Sequence, residues 1–276
     1  MLQVPELPNL ADLTRQYWES RWNVSLSSND ASRYWTGDDT ALISQVYEIL
    51  DGHDASALQA FVSAWSIYRG ALSRLQQAPM TATNSTISDR FPASQDSILL
   101  EDQLRATSLL QEIAITSIPP RRLLHMHRLW NGSWQQLLSS RRLDFEQAPM
   151  ARSDAAARDT YHAMARAQTG ELFACGFGGA AALAVDDESV AGAVAVLGRV
   201  YGTLRRAFND LHHVQTSRDI APPPQRGQND PSQSMRLRWY PRILVEELNQ
   251  VDPHTAVLPV MARAWFLELL ADSFIH

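Results

Sequence analysis

Four polar residues close to the end of a long apolar stretch hold most of the chemistry this sequence offers. Arg206, Asn209, Asp210 and His213 stand at i, i+3, i+4 and i+7, so a helix presents all four on one side. A carboxylate, a guanidinium, an imidazole and an amide at that spacing can grip an anion, contribute to a metal site or share a proton. Arg206 lies one turn before Asp210 and is well placed to pair with it. Three other pairings invite a metal reading and fit a plainer one better. Asp38 and Asp39 follow Thr36 and Gly37 where a helix should begin, and acidic side chains there serve as caps and complement the helix dipole. Asp186 and Asp187 lie in a connecting turn and cap the helix after it. His125 and His127, at i and i+2, point to different faces.

The elements that must position the polar cluster are two apolar helices within Ala165 to Val214, joined at the polar break Val185 to Ser189. The first carries Gly176, Gly178, Gly179 and an alanine run, whose missing side chains allow close helix approach. Around this pair the periodicity predicts helices over about Ala11–Trp22, Ala57–Gln77, Gln95–Ile118, Arg121–Ser140 and His254–Ile275. Asp54 opens the second of these, and Pro119-Pro120 stops the third. Pro79–Ser94 reads as a polar loop, and Arg218–Ser234, with three consecutive prolines, as a mobile one. No run alternates convincingly enough for a strand, so the expectation is an all-α chain.

Order and spacing bring a family into view. Gln168 to Phe173 resembles the Lys-Thr-Gly-x-Leu-Phe element of the trans-isoprenyl diphosphate synthases, with Gln168 at the lysine position. Gly202 to His213 resembles their Gly-x-x-x-Gln-x-x-Asp-Asp-x-x-Asp helix, with Asn209, Asp210 and His213 at the three acidic positions. Ser66 to Ser73 falls where the first aspartate motif belongs, and Arg69, Gly70 and Ser73 hold its acidic places. Met235 to Leu244 resembles the Gly-Lys-x-Thr-x-Pro segment, with arginines such as Arg238 for lysine. The resemblance covers roughly 54–244. It implies a single isoprenoid-synthase-type helical bundle over 1–276.

In that family an allylic diphosphate ionises and couples to isopentenyl diphosphate, with Mg²⁺ held by opposed carboxylates steadying the departing diphosphate. By this mapping Asp210 alone survives of six acidic positions, so Mg²⁺ has a place only through Asp210. The leading expectation is a non-catalytic, small-subunit-like partner of an active prenyl diphosphate synthase, or a self-dimer, in which arginine–carboxylate pairs replace metals. A dimer surface built from the Gly/Ala-rich central helices would suit that role. One alternative is an atypical terpene synthase or cyclase in which Arg69, Arg206 and Arg238 grip a prenyl diphosphate directly and His213 assists the leaving group. Another is a module that only binds prenyl lipid. The candidate catalytic residues are therefore Asp210 and His213. The candidate binding residues are Tyr68, Arg69, Ser73, Gln168, Arg206, Phe208, Asn209 and Arg238, and no metal ligand or cofactor is assigned. Trp65, Trp130, Trp134 and Tyr201, like Tyr68 and Phe208, suit a prenyl pocket by type, but at helical spacing they read first as core.

Composition narrows the setting. All 24 basic residues are arginine, and the net charge of −6 with no sustained basic patch argues against nucleic acid. A lone Cys175 in an apolar helix fits a reducing compartment without disulfides. The longest apolar run, Leu172 to Val185, is too short to span a bilayer, and no signal peptide is recognised, so a cytoplasmic location is expected.

Overall fold

The computed structural model describes residues 37–77, 93–140, 154–220 and 231–274, all in helices and short connections. The expected first helix at Ala11–Trp22 lies outside the described residues, as does nearly all of the Pro79–Ser94 loop. The chain divides into two compact units, Met1–Met126 with Ala180–Asp186, and His127–Gly179 with Asp187–His276.

In the first unit, α1 (Gly37–Ile49) and α3 (Ala93–Glu112) pack against α2 (Ala55–Gln77). Nearly every residue of α2 from Ala57 to Leu72 is buried, and Phe61, Trp65 and Tyr68 supply its bulk. A helix enclosed on all sides must satisfy its own polar groups. Ser63 and Ser66 do so by donating to the carbonyls of Gln59 and Val62, at 2.7 and 2.9 Å. Asp54 caps α2: its Oδ1 accepts from the Ala57 amide at 2.9 Å and its Oδ2 from the Ser117 hydroxyl at 2.9 Å. Burial alone would raise that carboxyl, but the hydrogen bonds from Ala57, Ser117 and Ser56 outweigh it and hold Asp54 below its ordinary value. The turn before it is equally fixed. Asp51 ends α1 at a φ of 64°, and a Cβ on Gly52 would lie 2.4 Å from the Tyr47 ring. A 3-10 turn, Ile113–Ile115, closes α3 and leads towards α4 (Pro120–Ser140). Arg122 donates to Asp186 at 2.6 Å and to the carbonyls of Leu183 and Ala184, closing the end of α6 (Glu171–Ala184).

The second unit is built around α7 (Glu188–Ile220), 33 residues long. Asp187 accepts from the Ser189 amide and hydroxyl at 2.8 and 2.7 Å, the capping role that its place in the turn suggested. Packed on α7 are α5 (Asp154–Ala165), a π-turn at Arg166–Gly170, α8 (Pro231–Leu248), the short α9 (Val251–Thr255) and α10 (Val260–Phe274). Rings of Phe173, Phe177, Tyr201 and Phe266 form its core, with centroids 5.0 to 5.8 Å apart.

Three expectations are corrected here. The Arg218–Ser234 loop is shorter than expected, because α7 runs on to Ile220 and α8 resumes at Pro231, a residue suited to a first helical turn. The closing helix is two helices, broken where Pro259 precedes α10. The backbone stays helical from α5 through the π-turn into α6, with Ala165 and Glu171 on either side of the turn both right-handed helical. Finally, Leu172 to Ala184 of α6 are all buried inside the chain itself, so the Gly/Ala-rich helix offers no dimer surface.

Candidate functional site

Asp210 sits on α7 two turns beyond the aromatic core, and two donors converge on one of its oxygens. Arg206 Nε lies 3.0 Å from Oδ2, as the i, i+4 spacing allows. The Tyr161 hydroxyl, brought from α5, donates to the same Oδ2 at 2.8 Å. The carboxylate is largely buried, at 14% exposure. A charge-assisted pair of bonds in that setting is stronger than either would be in water. Asn209 and Phe208, its neighbours, are exposed. The side chains of His213 and Arg238 lie outside the described residues.

The helix can approach this closely because its glycines permit it. A Cβ on Gly202 would lie 2.3 Å from the Thr169 carbonyl, and one on Gly170 would lie 2.6 Å from the Thr203 hydroxyl. Further along, a Cβ on Gly198 would lie 2.5 Å from the Phe173 carbonyl, and one on Gly178 would lie 2.6 Å from Ala195 Cβ. These contacts seat the π-turn, with half-buried Gln168, directly on α7. Such turns often mark sites where a helix is re-aimed. Glu171, just after it, receives Arg199 at 2.5 Å, while Ser133 donates to the Glu171 carbonyl at 2.8 Å.

In the first unit, Arg69 meets Asp39 at 2.8 Å. Asp39 lies in the first turn of α1, where the sequence placed it, and the ion pair adds a role that its position alone did not announce. The carboxylate is 2% exposed and serves as a buried counter-ion from α1 to α2. Tyr68 is fully buried and Ser73 half-buried on the same helix. Arg74, one turn further, pairs with the buried Asp102 of α3. Trp65, Trp130, Trp134 and Tyr201 are all core, as their spacing suggested, whereas Phe208 is 42% exposed.

Sequence reasoning missed Tyr161, the Glu171–Arg199 pair and a cluster joining α5 to α8. In that cluster His162 and Arg166 reach the buried Glu247 at 2.6 and 3.2 Å. Tyr161 and Asp210 are 49 positions apart, and His162 and Glu247 are 85 apart. No local pattern announces either.

The residues present do not suit Mg²⁺. That ion demands near-ideal octahedral geometry and is usually bound through one or two carboxylates together with waters and substrate phosphates. Asp210 has one oxygen committed to two donors, and a guanidinium 3.0 Å away opposes a second cation. Among the described residues no group of three or more His, Cys, Asp or Glu is placed to hold a metal ion.

No protein-family model and no curated protein matches this sequence. Solved structures do match, over almost the whole chain. The fold is that of the isoprenoid synthases. A geranylgeranyl pyrophosphate synthetase from the archaeon Geoglobus acetivorans is 14% identical with a TM-score of 0.65, covering 94% of each chain. A deletion mutant of the heterotetrameric geranyl pyrophosphate synthase of mint is 13% identical with a TM-score of 0.62, covering 95% of this chain and 97% of that one. A Helicobacter pylori geranyltransferase, complexed with magnesium and isoprenyl diphosphate, is 10% identical with a TM-score of 0.55, covering 98% and 100%. The all-α expectation holds, and no helix among the described residues is long and apolar enough to cross a membrane.

Proposed function

We propose that this chain is a non-catalytic partner of an active prenyl diphosphate synthase. The observation that carries the proposal is the closure of Asp210 Oδ2 by Tyr161 and Arg206. At the position where metal-dependent chemistry would need a free carboxylate, the oxygen is spent on holding α5 to α7. Arg69, at a first-motif position, holds Asp39 in the same manner. Arg69 and Arg206, two of the three arginines suited to a diphosphate, are each engaged with a carboxylate, and displacing that partner would leave a poorly solvated charge behind. The heterotetrameric mint synthase offers a precedent for assembly on this fold. Exposed apolar side chains suited to contact with another chain include the adjacent Val260 and Met261 at the start of α10.

The test is a mixing experiment. An active prenyl diphosphate synthase from the same genome is assayed with isopentenyl diphosphate and an allylic diphosphate, with and without this chain. A complex on size-exclusion chromatography, together with a changed product length or turnover, supports the partner role. Separate elution and an unchanged product distribution would count against it.

A further inference from the structure

Among the described residues, His162 is the one histidine whose two ring nitrogens both have a carboxylate as partner. Its Nε2 lies 2.6 Å from Glu247 Oε1, and its Nδ1 lies 3.3 Å from Glu246 Oε2. A neutral imidazole carries one N–H and can donate to one of them; the imidazolium donates to both. We propose that His162 is a proton-dependent latch that fastens α8 to α5, held by Glu246 and Glu247 together when the ring is charged and by one of them when it is not.

The charges around it favour a switch over a fixed strut. Glu247 is fully buried, and its Oε2 has no partner among the described residues. Its Oε1 is shared between His162 and Arg166 of the π-turn, the latter at 3.2 Å. Arg166 also donates to Gln250, past the end of α8, at 3.2 Å. Glu246 is 44% exposed, and Arg158 of α5 is 4.0 Å away but already bound to Asp159 at 2.7 Å. From α7, Asp210 and Arg206 reach α5 only through Tyr161, the residue before His162. The group of Glu246, Glu247, Asp159, Arg158 and Arg166 thus has one negative charge more than positive, and a proton on His162 balances it.

The latch has a mechanical neighbour. Tyr161 touches both Asp210 and the Trp239 ring of α8, whose centroid is 6.0 Å away. Loosening α8 at Glu246 therefore unloads the helix that steadies Tyr161. The inference stands independently of the partner role, since it concerns how two helices of one chain are fastened.

Hydrogen–deuterium exchange on the full chain tests it, comparing wild type with E246Q at each pH so that intrinsic exchange rates cancel. Wild type should protect the α8 amides about tenfold better than E246Q near pH 5.5, the worth of roughly one charge-assisted hydrogen bond. The ratio should fall several-fold by about pH 8. A ratio unchanged across that range overturns the proposal. Nitrogen-15 spectra of wild-type His162 provide a second reading that needs no variant. Protons on both ring nitrogens at the acid end and a single tautomer at the alkaline end support the latch, and one unchanging form throughout refutes it.

Discussion

Replacing Asp210 with asparagine separates a structural anchor from a functional carboxylate. The side chain is nearly isosteric, so the core around it keeps its volume and only the charge is lost. Two interactions weaken: the hydrogen bond from Tyr161 at 2.8 Å and the pair with Arg206 at 3.0 Å. A hydrogen bond to a charged acceptor contributes about 1.5–3 kcal/mol, and its neutral counterpart about 1 kcal/mol. The ion pair adds about 0.3–0.5 kcal/mol for an exposed helix pair, and more here because both partners are largely covered. Together D210N should cost about 1–2.5 kcal/mol. Y161F should cost about 1 kcal/mol or more, and the double variant less than the sum, because the two residues share one bond. Urea unfolding followed by circular dichroism measures all three, with the coupling read from the cycle. A neutral or stabilising D210N would refute the reasoning. That outcome is what a strained functional carboxylate gives, since active sites often hold charge at the expense of stability.

Other outcomes follow from the same geometry. R69M should destabilise by about 3–5 kcal/mol, because it leaves Asp39 charged and buried, whereas R69M with D39L should recover most of that loss in the same unfolding assay. D54A should cost about 1 kcal/mol of stability at neutral pH through loss of the α2 cap. Because the folded protein holds the Asp54 carboxyl low, its contribution is full above the unfolded value of about 3.9 and fades as pH falls through the folded one. The gap between wild type and D54A should therefore narrow in acid unfolding titrations. Burial pushes the Cys175 thiol well above the ordinary cysteine range, so a thiol reagent should leave it untouched in the native protein and react fully in denaturant.

Helical periodicity made most of the fold legible. Helix α2 could be read from Asp54 as its cap to Gln77, and the α6–α7 pair from its apolar runs and acidic turn. Close packing of that pair was legible from the glycine run, where Gly178 meets Ala195, but the contacts of Gly198 and Gly202 on the second helix were not singled out. Pro259 carried a readable break that the apolar run through Val260 and Met261 concealed. The site was less accessible. Spacing gave Arg206 and Asp210 as neighbours, since both lie on one helix. It could not give Tyr161, or Asp39 opposite Arg69, because each partner comes from another helix and capping is the only role that local sequence can propose for an aspartate at a helix start. The π-turn at Arg166–Gly170 has no periodic signature either, since one residue added to a turn leaves the flanking pattern intact.

The most direct test of the central claim is a product assay on the purified chain alone. Geranyl, farnesyl and geranylgeranyl diphosphate are supplied in turn, with and without isopentenyl diphosphate and Mg²⁺, and both organic products and released diphosphate are measured. With Asp210 closed by Tyr161 and Arg206, the chain should yield neither. A hydrocarbon, an alcohol or a longer diphosphate, formed by the wild type and lost in R206A, would contradict it.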